Sequence, residues 1–375
     1  MLELDRITKR YGRDTVLDDV SLDVEAGRTL VLFGPSGSGK TVLLRLIAGV
    51  VVPDAGYVFV GGEDMHGVAP EMRGIGMAFQ NFALFPHLSA YDNIATPLHA
   101  KGNGVTAVQR RESVERVARL LKIDHVLGQR PGELSNGQKQ RTSLARALVA
   151  EPRLLLLDDP LRNVDAKLRF EMRLELPRLL REQGTTVVYV TQDYKEAMAL
   201  GDRIAVLDAG RVDQVGTPEQ VYLRPANRRI ATLFGDPAIN LLDAQPAIDA
   251  EGVHVRLSDQ RLALDPGLAH AVGRTCTLGV RPEAIGFGAA TDRSAIRVSV
   301  EAETPLNEKI VDLVKTLRGR EILVSRPAHE PGPAGTDAHL VVTTADALLF
   351  DRASGERIVP AADGAVPPTR AEAAA

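Results

Sequence analysis

Gly34-Pro35-Ser36-Gly37-Ser38-Gly39-Lys40-Thr41 decides how the first half of this chain is read. The stretch fits the pattern G-x-x-x-x-G-K-[ST], a glycine-rich turn whose backbone N–H groups can approach phosphate oxygens. Glycine suits such a turn because it tolerates tight, left-handed backbone and leaves room for a ligand. Leu30-Val31-Leu32-Phe33, just before it, reads as a short buried strand. Residues 42–48, just after it, read as a helix with Leu43, Leu44 and Ile47 on one side. The loop thus lies between a strand and a helix whose positive end faces it, as anion binding requires. Lys40 adds a mobile charge for β- and γ-phosphates, and the Thr41 hydroxyl can ligate Mg²⁺. On these residues alone the implication is a nucleoside triphosphate, and nothing finer.

Further out, residues 1 to about 235 alternate between strand-type and helix-type runs, which predicts an α/β domain. The apolar runs 154–157 and 187–190 read as buried strands of a parallel sheet. Residues 107–121 predict an amphipathic helix, apolar at Val114, Val117, Ala118 and Leu121. A long helix should start near Ala166, with Pro177 kinking it or ending a segment. After Gly235-Asp236-Pro237 the texture changes. Runs at 253–257, 275–280, 296–300, 322–324 and 340–342 are short and β-type, separated by Gly/Pro loops, which predicts a small barrel or sandwich. Residues 329–337 read as a flexible surface loop, and the Ala- and Pro-rich end from about 360 as a disordered tail. The expected domains are 1–235 and 236–375.

The bulk properties narrow the class. A chain of 375 residues is long for one domain. Its 44% hydrophobic and 25% charged residues give an ordinary globular balance. A net charge of −4 argues against a nucleic-acid partner. The one cysteine, Cys276, excludes an intrachain disulfide framework and points to a reducing compartment; its apolar setting marks it as a core residue. The start, Met1-Leu2-Glu3-Leu4-Asp5, has no apolar signal core, and the longest apolar stretch, 46–52, is far short of the ~18 residues of a membrane span. Any work at a membrane is expected to go through a partner.

Two more landmarks are Leu134-Ser135-Asn136-Gly137-Gln138-Lys139-Gln140-Arg141 and Leu154-Leu155-Leu156-Leu157-Asp158-Asp159-Pro160. With the loop at 34–41 and in this order, they resemble the ATPase subunits of ABC transporters over essentially all of residues 1–240. The closest resemblance is to the maltose and glycerol-phosphate type of carbohydrate importer ATPase. It implies an α/β P-loop domain with a helical subdomain at about 81–150, followed by an all-β, OB-like regulatory and dimerisation domain. Gly279-Val280-Arg281-Pro282-Glu283 carries the clearest match in that second domain.

The resemblance implies site residues position by position. Gly34 to Gly39, Lys40, Thr41 and Val42 cradle ATP, and Tyr11 stacks on its adenine. Gln80, in Phe79-Gln80-Asn81-Phe82, senses Mg²⁺ and the γ-phosphate. The following Ala83-Leu84-Phe85-Pro86-His87-Leu88 resembles the membrane-facing part of importers, although Phe85 and Leu88 are read as core packing. Thr41, Gln80 and Asp158 hold Mg²⁺. Asp159 and Gln192 take the catalytic base and switch positions. Ser135, Asn136, Gly137 and Gln138 cover the phosphate bound by a second ATPase subunit, so the active unit is at least a dimer. The implied partners are membrane permease subunits and, indirectly, a solute-binding protein. The implied place is peripheral, on the cytoplasmic face of the inner membrane.

The sequence departs from that family at four positions. Val42 replaces a second hydroxyl residue, a change worth about 1.5–3 kcal/mol if a bond to charged phosphate is lost. Asn136 replaces a signature glycine and should tolerate left-handed backbone. Asp159 stands where relatives have glutamate, one methylene shorter. Gln192 stands where they have histidine, and it can donate a hydrogen bond but carry no proton charge. One reading is drift within a working ATPase. The other, favoured because both changes strike the catalytic step, is a site that binds ATP but hydrolyses it slowly beside a different, complete ATPase subunit. A homodimer stays open. The rival functions are a non-transport soluble ABC ATPase and a nucleotide-dependent regulatory module. An oligonucleotide-binding second domain is disfavoured, since from Asp236 onward the aromatic residues are Phe287 and Phe350 alone.

Overall fold

The computed structural model describes residues 1–78, 82–99, 106–257, 260–292, 295–333 and 335–360. The chain divides into two compact units, one ending at Glu219 and one beginning at Gln220.

The first unit begins with β1 (Leu2–Tyr11), β2 (Asp14–Val24), β3 (Thr29–Phe33), α1 (Lys40–Ile47), β4 (Ala55–Val60), β5 (Glu63–Asp64) and β6 (Ile75–Ala78). It continues through α2 (Ala90–Ala95), α3 (Ala107–Leu120), α4 (Asn136–Leu148), β7 (Leu154–Asp158), α5 (Ala166–Glu182), β8 (Thr186–Thr191), α6 (Tyr194–Leu200), β9 (Arg203–Asp208) and β10 (Arg211–Gly216). An antiparallel sheet is ordered β2-β1-β4-β5, and a six-stranded sheet β10-β9-β3-β8-β7-β6. Every pairing in the second sheet is parallel except β10 with β9.

Every residue of β3, β7 and β8 is buried, which is why these strands read as continuous apolar runs rather than alternating ones. Leu30, Leu32, Leu43, Leu44, Ile47, Leu154, Leu156, Val188 and Val190 share one core with β1 and β2. Register then fixes the site: Phe33 lies beside Thr191, and Asp158 beside Val190. The loops after β3, β7 and β8 therefore emerge together at the carboxyl edge of the sheet, where open α/β sheets bind ligands. Helices α2, α3 and α4 pack on one another. α3 buries Val114, Val117 and Ala118, and its N-terminus is closed by a Thr106–Gln109 capping box. α5 runs on through Pro177 instead of ending there. Its buried stripe of Leu168, Met172, Leu176 and Leu180 offsets an interior proline's cost of ~3 kcal/mol.

α7 (Pro218–Leu223) spans the division, and α8 (Arg228–Leu233) lies in the second unit. The strands there are β11 (Asn240–Ala244), β12 (Ala247–Asp249), β13 (Gly252–Leu257), β14 (Gln260–Ala263), β15 (Cys276–Val280), β16 (Ile285–Phe287), β17 (Ile296–Leu306), β18 (Lys309–Thr316), β19 (Glu321–Pro327), β20 (Asp337–Val342) and β21 (Leu348–Asp351). They form sheets ordered β11-β15-β21, β12-β13-β14 and β16-β20-β17-β18-β19, all antiparallel. Val255, Leu278, Val298, Val314 and Leu340 lie in their common core, with Cys276 fully buried among them. Burial raises the Cys276 thiol pKa, which suits packing rather than reaction.

The packing division precedes the composition change at Gly235 because α8 joins the β structure. Ala231 packs with Ile239, Leu348 and Phe350. Arg281 donates to the carbonyls of Phe234 and Tyr222 and lies 3.6 Å from the Tyr222 ring centroid. The Tyr222 hydroxyl bonds Glu283. The motif 279–283 thus ties the helical entry to β15. The tail expected from about 360 lies, beyond Pro360, outside the described residues.

Candidate functional site

The loop between β3 and α1 is shaped by its glycines. Gly37 and Gly39 have φ of 80° and 103°, left-handed values that favour glycine. A Cβ on Gly34 would sit 2.1 Å from the Leu207 carbonyl oxygen, and one on Gly39 2.9 Å from that of Val16. The strand thus runs into a turn that no side chain could follow.

Lys40 is buried beneath this turn. Its Nζ donates to the Gly34 carbonyl (2.8 Å), the Pro35 carbonyl (2.7 Å) and Ser38 Oγ (3.3 Å). Burial lowers its pKa, against the opposing pull of Asp159 and Asp158. Thr41 Oγ1 donates to Asp158 Oδ1 at 3.3 Å, across from the end of β7. Burial pushes the Asp158 carboxyl up, against Thr41, Arg45 and Lys40. Val42, expected at the phosphate, also packs against the main core.

Asp159 has φ 49°, which turns it away from the strand line. Its N–H donates to the Val190 carbonyl (3.0 Å), and its own carbonyl accepts from Gln140 Nε2 (2.9 Å). Burial raises its carboxyl pKa; Arg162, 3.9 Å away, lowers it, and Asp158 raises it again. Gln192 follows β8 and is exposed. Ser36 to Val42, Asp158, Asp159, Arg162, Thr191 and Gln192 line one cleft of about 320 Å³.

Ser135 to Gln138 do not line that cleft. Ser135 caps α4: its Oγ accepts from Gln138 N (3.2 Å), and its N–H donates to Gln138 Oε1 (2.8 Å). Ser135 and Asn136 are exposed at a helix N-terminus that favours anions. Asn136 is the first residue of the helix, so the left-handed backbone expected for it is not used. At Gly137 a Cβ would meet the Asn163 carbonyl oxygen at 3.1 Å, so glycine keeps this helix start close to the turn after β7.

Two expectations meet a different setting, and a third falls outside the described residues. Tyr11 ends β1, half-exposed, with Lys9 Nζ 5.5 Å from its ring centroid, and it does not line the cleft. Gln80 lies outside the described residues, as do Phe79 and Asn81. Phe85, read as core, is exposed, and Leu88 is half-buried. The cause is local. Asn93 exchanges bonds with both the N–H and the carbonyl of Phe85, and Arg146 donates to the carbonyls of Phe82 and Ala83. The backbone is satisfied inward and the ring is left outside, 5.8 Å from the Arg146 guanidinium.

Sequence reasoning missed Arg162 and Gln140. Gln140 bridges from α4 to the Asp159 carbonyl and to Asn163 N (2.9 Å). A signal existed for Arg162, a charged residue three positions after Asp159 in a turn. For Gln140 the signal was a polar residue on the same helix face as Leu144.

A glycine-rich loop with its lysine inside, a hydroxyl beside a strand-end carboxylate, and a second carboxylate next to it define a P-loop nucleoside triphosphatase. Family comparison narrows the class. Residues 17–162 match the ABC transporter model, and residues 235–285 match the MalK OB fold domain. The sn-glycerol-3-phosphate import ATP-binding protein UgpC of Yersinia pseudotuberculosis is 41% identical over 362 residues, covering 96% of this chain and 99% of that protein. Its namesake from Escherichia coli K12 is 39% identical over 360 residues, covering 95% and 99%. Among solved structures, the dimeric bacterial ABC transporter cassette MJ0796 aligns with a TM-score of 0.55 at 32% identity, covering 58% of this chain and 99% of that one. The chain belongs to the ATP-binding subunits of ABC importers: it is an ATP hydrolase coupled to transport, and it works with membrane permease partners and as a dimer. The readings as a non-transport ATPase or a regulatory module gain no support from these relatives. No helix among the described residues is long and apolar enough to cross a membrane.

Proposed function

We propose that the cleft binds ATP with Mg²⁺ and that its hydrolysis drives uptake of a polyol phosphate, or a related sugar or polyol, through permease subunits. The chain would work peripherally, at the cytoplasmic face of the inner membrane, receiving solute-binding protein signals through the permease. The observation that carries this reading is the convergence of Lys40, Thr41, Asp158, Asp159 and Gln192 on one cleft. The solute class rests on the relatives named as sn-glycerol-3-phosphate importers.

The residues present fit the ligand. The loop backbone and Lys40 supply donors for phosphate, and the Thr41 and Asp158 oxygens are the hard donors Mg²⁺ prefers. Among the described residues there is no cluster of three His, Cys, Asp or Glu side chains able to cage a metal. That suits a cation held largely by substrate phosphates and water. When bound, it would neutralise charge on the β- and γ-oxygens. Lys40 turns from the Gly34 and Pro35 carbonyls to phosphate. Asp159 orients a water on the γ-phosphorus and accepts its proton, as the bond to the β–γ bridging oxygen breaks and ADP leaves. Gln192 donates one hydrogen bond from the opposite wall. Gln80 and Tyr11 keep, by resemblance, the γ-phosphate sensor and adenine roles. The nucleotide domain is assigned to 1–235, with its helical subdomain at about 81–150, and regulation and pairing to 236–375. The exposed Phe85 ring is assigned to the permease-facing surface.

Ser135, Asn136, Gly137 and Gln138 would close the cleft of a second ATPase subunit, because Ser135 and Asn136 stand exposed and none of the four lines its own cleft. Two copies of this chain satisfy that geometry. An unlike partner would add a glutamate and a histidine where this chain has Asp159 and Gln192. ATP turnover by the chain alone, and with permeases and candidate partner, separates the two pairings.

The first test is Lys40→Ala. ATP–Mg²⁺ affinity should fall at least ~tenfold, the value of a charge-assisted phosphate contact, and sn-glycerol 3-phosphate uptake by the assembled transporter should stop. Unchanged affinity together with unchanged ATPase activity would remove the assignment.

A further inference from the structure

Arg162 lines the cleft, yet the reading above gives it no task. Its backbone is held firmly. Arg162 N donates to the Asp159 carbonyl (3.3 Å), the Arg162 carbonyl accepts from Arg169 Nη2 (3.1 Å), and Gln140 Oε1 accepts from the next N–H, that of Asn163 (2.9 Å). Its side chain is held loosely: it is 56% exposed and makes one ion pair, to Asp159 at 3.9 Å, beyond hydrogen-bond length. Arg73, by contrast, shows a structural arginine in the same unit, donating to the carbonyls of Leu46, Ile47, Met65 and Val68. A fixed backbone thus presents a movable cation beside Lys40, Thr41 and Asp159.

The charge around the cleft gives that cation a target. Lys40 and Arg162 are the cationic side chains of its lining, and Asp158 and Asp159 the anionic ones. The protein charges therefore cancel, while a triphosphate brings several negative charges of its own. Gln192, in the same lining, adds none. Guanidinium groups bind phosphate oxygens with two parallel N–H donors and keep their charge at every physiological pH.

Resting on the cleft being the ATP site, we propose that Arg162 is a phosphate-contacting residue that leaves Asp159 when a triphosphate binds and donates to its terminal phosphate. The exchange makes the site prefer ATP to ADP. It also frees Asp159 to face water only when a γ-phosphate is present. The ion pair given up is exposed and long, so little opposes the exchange.

The test is equilibrium binding, without turnover. The full chain is titrated with Mg²⁺–ADP and with a non-hydrolysable Mg²⁺–triphosphate analogue, for the parent, Arg162→Ser, Arg162→Lys and Lys40→Ala. Arg162→Ser should lose about tenfold or more in affinity for the triphosphate, the strength of a charge-assisted bond, and less than about twofold for the diphosphate. Arg162→Lys should recover part of the loss, since it returns the charge without the fork. Lys40→Ala should weaken both ligands. Equal losses for both nucleotides in Arg162→Ser would show that Arg162 only shapes the turn and would overturn the proposal, as would no loss for either. A parent that binds neither nucleotide would remove the ATP-site reading, and this inference with it.

Discussion

Asp158 in the first unit and Asp312 in the second are both carboxylates buried at or within a strand, and they are treated in opposite ways. Asp312 is wholly buried in β18 and is met by Arg326 of β19, with Nε–Oδ2 2.9 Å and Nη2–Oδ1 3.4 Å. Arg326 spends its remaining donors on Glu303 and the Glu330 carbonyl. Asp158, 4% exposed at the end of β7, has one hydroxyl, Thr41, at 3.3 Å, and forms no ion pair among the described residues. Taking a carboxylate out of water is costly unless a partner compensates. The second unit supplies that partner from its own chain and obtains structure. The first withholds it, which on the proposed reading leaves a place for a cation and phosphates, and burial drives the carboxyl pKa up.

The comparison breaks most visibly on exchanging the two aspartates for asparagine. Asp158→Asn should reduce ATP turnover by about a thousandfold or more, the several kcal/mol that cation binding contributes to charge stabilisation. Its melting temperature should hold or rise, since an uncompensated charge is gone. Asp312→Asn should do the reverse: denaturant unfolding should show a loss of ~3–5 kcal/mol, the usual cost of breaking a buried pair, with ATP affinity unchanged. Destabilisation by the first substitution, or none by the second, would erase the distinction.

Asp159→Glu sharpens the same contrast from the catalytic side. If the shorter carboxylate falls ~1 Å short of the attacking water, restoring the methylene should raise steady-state turnover by up to about a hundredfold. Unchanged turnover in the assembled transporter would place the limiting step elsewhere.

The smallest expected effect concerns Glu196, buried in α6 behind Gln192. Burial is the first cause of its raised pKa; the hydroxyls of Tyr189 and Thr191, each donating at 2.9 Å, and Arg173 pull it down. The native state therefore holds this proton more tightly than the unfolded chain does. Its contribution to stability is complete below the ordinary glutamate range and is lost as pH rises through the folded pKa. Thermal melts of Glu196→Gln against pH should show a shallower fall from the ordinary glutamate range upward. An unaltered slope would assign the acid dependence to other groups.

Much of this was legible in the sequence because it follows from local rules. The strand–loop–helix at 30–48 needs its glycines and its apolar flanks wherever it occurs. β13, β15 and β17 cover the apolar runs that predicted them. What escaped depends on non-local contacts. Phe85 has a core composition but an exposed ring, because Arg146, far along the chain, holds the carbonyls of Phe82 and Ala83 while Asn93 holds the backbone of Phe85. Nothing before Gly235 signals that α8 belongs with the β sheets, since its partners Leu348 and Phe350 lie more than a hundred positions on. Arg162 was missed because only the fold brings it into the lining of the cleft.

Gln140 carries a last consequence. One side-chain amide holds the Asp159 carbonyl with its nitrogen and the Asn163 N–H with its oxygen, while its helix begins one turn earlier at Asn136, capped by Ser135. The helix start proposed to meet a neighbouring subunit and the backbone of Asp159 beside the chain's own cleft are therefore joined by one helix and one side-chain amide. On that proposal, a displacement of the helix start would pull on the Asp159 backbone through this amide. Linkage makes the traffic two-way: whatever free energy a closed neighbour adds to the local geometry, an occupied cleft returns to the neighbour. On that proposal the helix would work as a transmission rod, with Gln140 as its pin.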